Sequence, residues 1–254
     1  MTNRSNRAGI SLLLPLFASA VILPAVPQGQ PDTRAAIAAR NSNDVAALRR
    51  LISEAQEGAE REKTAHAYQT LAQLDLWLCE IGNTRNDNKL IKHAAEDAAS
   101  AAEKAVALDS NSSEAHRLEG ESLGQLIPHV FAGGPRLGPR STRELDRAIE
   151  LDPKNPNAYI ARAYNYFFTP KSFGGDKQKA AEMLQKAIEL DPNSDTAHVW
   201  LAQVDLALGR KQDALREIDT ARQLDPGRPF TQYVYRQVAD LDHNVASQTS
   251  GSHQ

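Results

Sequence analysis

The stretch QKAIELDPNSDTAHVWLAQ, residues 185–203, contains the end of one helix, a turn and the start of another. Upstream and into it, Ala180, Leu184, Ala187 and Ile188 fall at three- to four-residue spacing, which places them on one face of an α-helix. Pro192 disfavours helical geometry in the residue before it, so the helix stops at Leu190-Asp191. Asn193, Ser194 and Asp195 then offer side-chain oxygens to cap the helix that follows. That helix ends at Gly209, because glycine supplies the turn geometry other residues resist.

The same phrase recurs outward from this point. AEKAVALDSNSSEAH (102–116), DRAIELDPKNPNAY (146–159) and DTARQLDPGRPF (219–230) repeat the helix end and the turn. LAQLDLWL (71–78) and LAQVDLAL (201–208) agree at six of eight positions, so the front of the unit repeats as well. Recurrence of helix, turn, helix and Asp-Pro turn predicts an all-α array of stacked hairpins.

Residues 195–228 resemble a tetratricopeptide repeat. Leu201 and Ala202 match its first-helix pair, and Ala214, Ile218, Ala221 and Pro226 match its second-helix signature. Counting backward gives units near 65–110, 113–153, 156–192 and 195–228. The resemblance implies a superhelical stack of helix hairpins, and bulky residues at its small-residue positions would overpack the seams. More weakly, the layout around AHRLEGESLGQL resembles the repeat domain of regulator of microtubule dynamics proteins, from which only the fold is carried over. The small-residue position falls at Ala98, Ser141, Ala180 and Ala214, spacings of 43, 39 and 34. The first three units therefore carry insertions, centred on CEIGNTRNDNK, HVFAGGPRLGPR and TPKSFGGD, which should emerge as loops on one edge. Around the repeats, residues 43–243 are expected to form one array with capping helices at 42–57 and 230–243. Residues 26–42 read as a linker with a marginal helix, and 244–254 as a polar, disordered tail.

The N-terminus has a different character. Arg4 and Arg7 precede ISLLLPLFASAVILPAV, and Ala18-Ser19-Ala20 fits a cleavage site, with Ala25 a second candidate. This is the layout of a secretory signal peptide over 1–25, giving a periplasmic or secreted protein; an uncleaved N-terminal anchor is the alternative. Pro15 and Pro24 interrupt the apolar run, which makes it a poor stable membrane span. A formal charge of −3, or −5 without the two leader arginines, offers no footprint for nucleic acid. Cys79, the single cysteine, sits in an apolar run and reads as a buried hydrophobe, so neither an internal disulfide nor a cysteine-based metal site is expected.

No catalytic motif and no cofactor site is legible. His116 and His198 occupy equivalent repeat positions and read as scaffold; His66 with Glu62 and His93 with Glu96 lack a third ligand. The Gly-Gly segments lack phosphate-loop spacing and read as turn-makers. The tetratricopeptide register implies a concave face made by first helices. That face would carry His66, Gln69, Gln73 and Trp77, then Glu114, Arg117, Glu121 and Gln125. Asn157, Ile160, Tyr164 and Phe168 follow, then Thr196, Val199, Trp200 and Gln203. Trp77 and Phe168 also fit a core role. From this set Gln69, Gln73, Arg117, Glu121, Tyr164, Trp200 and Gln203 are the candidate partner-binding residues, aromatics and arginine being the usual anchors. The Lys-Asn clamp with which some family members grip a C-terminal carboxylate is missing. Glu119 and Arg162 stand in adjacent units where the family has leucine, and misplaced opposite charges of this kind are expected to pair. The chain thus reads as a non-enzymatic scaffold for a protein or peptide partner. The alternative is a small-molecule or lipid-binding accessory protein of a transport system, with a pocket under the inter-helix loops.

Overall fold

The structure is a computed structural model that describes residues 32–250, with side chains up to residue 239. The leader over 1–25 lies outside the described residues. Among those residues there are eleven α-helices and no strand. The helices are α1 (Thr33–Asn41), α2 (Val45–Glu62), α3 (Ala65–Arg85), α4 (Asn88–Leu108), α5 (Ser113–Leu126) and α6 (Gly133–Leu151). They continue with α7 (Pro156–Phe168), α8 (Lys177–Leu190), α9 (Asp195–Ala207), α10 (Lys211–Leu224) and α11 (Pro229–Ser250).

Local chemistry sets most of the boundaries. The side chains of Asp32, Asp44, Thr64, Asp87, Ser112, Asn155, Asp176 and Ser194 each accept a backbone N–H in the first turn of the helix they precede. At the other end of the unit, Asp109, Asp152 and Asp191 leave the helix in extended geometry. The Oδ1 atoms of Asp109, Asp152, Asp191 and Asp225 accept the N–H two residues on, at 2.9–3.1 Å. Asp109 makes this turn although Ser110 follows it. The aspartate therefore shapes the turn and proline only reinforces it. Gly209 at φ 77° ends the first helix of the last unit, and Asn86 at φ 53° does the same in the first.

The four hairpins are α3/α4, α5/α6, α7/α8 and α9/α10, each stacked on the next. Their seams are closed by small residues without exposed surface: Ala98, Ser141, Ala180 and Ala214, with Ala105, Ala148, Ala187 and Ala221 two turns on. The core runs along the stack in three clusters rather than in one ball, as neighbour-only packing requires. Cys79 is fully buried in the first cluster, and burial raises its thiol pKa well above the ordinary range.

Three expectations change. The inserts of the first two units are spent mostly on helix, not loop. In the first, α3 runs to Arg85 and α4 starts at Asn88, leaving a two-residue turn. In the second, after a short 3-10 turn at Ile127–His129, α6 starts at Gly133 and carries Pro139 inside it. Pro135 sits in the first turn of α6, where its missing N–H has no helical partner to lose. TPKSFGGD alone stays a loop, with a 3-10 turn at Lys171–Phe173. Secondly, the marginal helix expected within the 26–42 linker is α1, Thr33–Asn41, and it is packed into the array, with Ala36 and Ala39 buried. Thirdly, α11 continues to Ser250, past the expected end at His243 and into the expected tail; residues 251–254 lie outside the described residues. No helix among the described residues is long and apolar enough to cross a membrane.

The last repeat returns to the first, a contact that the repeat pattern itself does not announce. α11 packs against α3, and Arg228, in the turn before α11, forms a two-pronged ion pair with Glu80 of α3 at 2.8 and 2.6 Å. Arg40, near the end of α1, bonds Asp225 at 2.9 Å, and Asn41 adds two bonds to the same carboxylate at 3.1 Å. The superhelix is closed end to end.

Candidate functional site

Closure turns the concave face into a cavity of about 1650 Å³. Every residue of the predicted inward set lines it except Val199, which is fully buried in the core between α9, α10 and α11. The cavity thus brings together all seven candidate residues, Gln69, Gln73, Arg117, Glu121, Tyr164, Trp200 and Gln203. The register was readable because α3, α5, α7 and α9 keep the small residues that orient them. Ala72, Gly120, Ala161 and Ala202 are buried, and turning any helix would drive a long side chain into that seam.

On one side of the cavity the surface is polar. Arg117 of α5 is 3% exposed and bonds both oxygens of Glu114 at 3.0 and 2.7 Å, Gln73 at 2.6 Å, and Glu121. Burial disfavours its charge, but the two carboxylates outweigh that and hold its pKa above the ordinary value. For Glu121 burial wins and the carboxyl is raised, with Arg117 offsetting part of the shift. Gln69 reaches across the repeat to the Ser112 hydroxyl at 2.7 Å. At the seam Arg228 adds Asp195 and Thr196 to Glu80, at 2.6 and 2.7 Å.

The other side is aromatic. Tyr164 and Phe168 of α7, Trp200 of α9, and Phe230 and Tyr233 of α11 form a chain of ring contacts. Tyr164 also donates weakly to Gln125 across the repeat at 3.4 Å. Phe168 is 53% exposed, so its core reading is overturned: it stands at the cavity edge. Trp77 is half-buried against the first core cluster, with the Arg40 guanidinium 5.6 Å from its ring centre.

The remaining candidates have structural partners. His116 contacts Glu144 at 2.8 Å and the Ser110 carbonyl at 3.0 Å; His198 does the same with Glu217 at 2.6 Å and the Pro192 carbonyl at 3.2 Å. Each histidine locks its helix to the preceding turn and to the second helix of its hairpin. Glu119 and Arg162 do not pair with each other. Arg140 takes Glu119 at 2.6 Å, while Arg162 bonds Asp146 at 2.7 Å and Asn165 at 2.8 Å. Arg140 is available because the second insert lengthened α6 and laid its first turns along α5. Arg40, Glu80, Arg228, Phe230 and Tyr233 also line the cavity, although the repeat register does not point to them. They enter only through closure; the one local hint was the Gly-Arg-Pro-Phe run in the last turn, unlike the turns of the other units.

No curated protein matches this sequence. Among solved structures the chain is similar to a thermophilic tetratricopeptide repeat protein of Thermus thermophilus, at 17% identity and TM-score 0.61, over 81% of this chain and 96% of that one. It is also similar to the HusA haemophore of Porphyromonas gingivalis, at 22% identity and TM-score 0.52, over 68% of this chain and 94% of that one. At such identities the likeness is one of fold. The tetratricopeptide repeat family profile matches residues 175–232, which hold α8, α9, α10 and the start of α11. The stacked hairpins, the small-residue seams and these matches together give this chain a tetratricopeptide-repeat fold, with residues 175–232 matching that family.

Proposed function

We propose that this chain is an exported, non-enzymatic scaffold that takes a protein or peptide partner on its concave face. The observation that carries the reading is the cavity itself. Four successive repeats turn polar and aromatic side chains inward, and part of the aromatic surface is left uncovered. Large apolar surface rimmed by polar groups is what a binding face looks like, because leaving it in water has no structural return. Export rests on the basic, apolar and small-residue order of the leader.

A photo-crosslinking residue placed at Gln73 should give protein adducts in the cell envelope or culture fluid, and one at exposed Glu182 on α8 should not. Equal labelling from both positions, or none from Gln73, would remove the concave-face reading. N-terminal sequencing of the recovered protein checks export: a start after Ala20 or Ala25 is expected. A second reading keeps the site and changes the occupant to a small molecule or lipid. It rests on the closed ends, which make the concave face a bounded cavity rather than an open trough. Native mass spectrometry of the purified protein separates the two, since a retained small ligand adds mass without any protein adduct.

A further inference from the structure

The charges of the cavity are already committed to one another. Arg117 is claimed by Glu114, Glu121 and Gln73; Arg228 by Glu80, Asp195 and Thr196; Arg40 by Asp225 and Asn41. Three guanidiniums and three carboxylates, Glu80, Glu114 and Glu121, line the cavity, while Asp195 and Asp225 hold Arg228 and Arg40 from behind the lining, and no lysine among the described residues lines it. An incoming carboxylate or phosphate would have to strip a buried arginine from its partners, leaving half-buried carboxylates unpaired beside it. An incoming cation displaces no ion pair, and once the two aspartates behind the lining are counted the carboxylates outnumber the guanidiniums by two.

The aromatic side offers the opposite kind of opportunity. Its rings touch in series, Phe168 to Tyr164 at 4.3 Å, Tyr164 to Trp200 at 5.1 Å and Trp200 to Phe230 at 4.9 Å between centroids. Phe168 and Tyr233, at the two ends of the series, remain 53% and 43% exposed. Another ring can extend this series with the edge-to-face geometry the existing pairs already use. One turn from Trp200, the Oε1 atom of Gln203 is buried without a hydrogen-bond partner, an acceptor beside the rings that an N–H or O–H would satisfy. The volume exceeds the roughly 300–1000 Å³ of ordinary small-molecule pockets and runs past all four repeats, which suits a segment of polypeptide.

We propose that the cavity receives a peptide segment with at least one aromatic side chain and a neutral or positive net charge, its ring on the Phe168–Trp200–Phe230 wall and its positive groups toward Glu80 and Glu121. This rests on the reading of the concave face as a peptide site, and it specifies what that site selects.

The test is selection from a random-peptide display library on the full-length protein, followed by calorimetry with amidated synthetic copies of the enriched sequences. Enrichment of aromatic, neutral or basic peptides is expected, with affinity falling about tenfold or more on Phe168→Ala and on Trp200→Leu. Because Trp200 also packs in the core, Phe168→Ala, at a half-exposed ring, is the deciding variant. Replacing the basic residues of an enriched peptide by glutamate should abolish binding. Acidic or aromatic-free winners, or peptides indifferent to Phe168→Ala, overturn the inference while leaving a peptide site standing. Absence of any enriched sequence overturns the peptide reading and the inference with it.

Discussion

Asp75 and Asp205 occupy the same position in the two matching copies of the first helix, yet their surroundings differ. Asp205 has Arg210 at 3.4 Å, whereas Asp75, 3% exposed, has no counter-ion among the described residues. Burial, and then the charge of Asp97, push the Asp75 carboxyl up to about 8. The folded protein therefore keeps a proton that the unfolded chain releases near pH 4, so stability falls as pH rises between about 4 and 8. Asp75→Asn should remove that slope, matching the parent near pH 4 and exceeding it by on the order of 5 kcal/mol near pH 8. Urea denaturation at the two values checks it. This contrast was invisible in the repeat alignment, which shows matched residues and not the neighbours each one meets. The same blindness misassigned the partners of Glu119 and Arg162: the register exposed two charges out of place, but which cation reaches Glu119 depends on where α6 begins.

At the scale of elements, capping residues, aspartate turns and small-residue seams were legible because each acts within a few residues along the chain. The inserts were misread because glycine and proline suggest a loop wherever they cluster, while α6 uses Gly134, Pro135, Gly138 and Pro139 within its first two turns. Two glycines separate the effects. Gly124 lies in α5, and a Cβ added there would meet only the Ser141 Oγ at 3.6 Å, an ordinary contact, so Gly124→Ala should raise stability by about 0.8 kcal/mol through reduced chain entropy. Gly120 on α5 is the converse: an added Cβ would lie 2.6 Å from Leu145 Cγ and 2.9 Å from the Ser141 carbonyl oxygen of α6. Gly120→Ala should lower stability by about 1–3 kcal/mol, because backbone cannot give way as a side-chain tip can. Thermal unfolding of the two variants should move in opposite directions.

At the scale of the whole molecule, closure was not legible, because it depends on the small rotation from each repeat to the next, summed over the stack. The inward-facing set was legible and its ends were not, for the same reason: α3, α5, α7 and α9 follow the repeat, while Arg40 and Phe230 belong to elements outside it and Arg228 to the last turn. Arg228→Ala should cost about 3 kcal/mol by stranding Glu80 and Asp195, and should part α11 from α3. Small-angle scattering under native conditions should then report a larger radius of gyration, with helical content by circular dichroism unchanged. The seam has a further consequence for how this architecture can vary. An open solenoid gains or loses units freely, since its ends meet only solvent. Here the Glu80–Arg228 and Arg40–Asp225 pairs must find each other across a fixed number of hairpins, so duplicating or deleting one would misalign both. Repeat count becomes as constrained as any buried side chain.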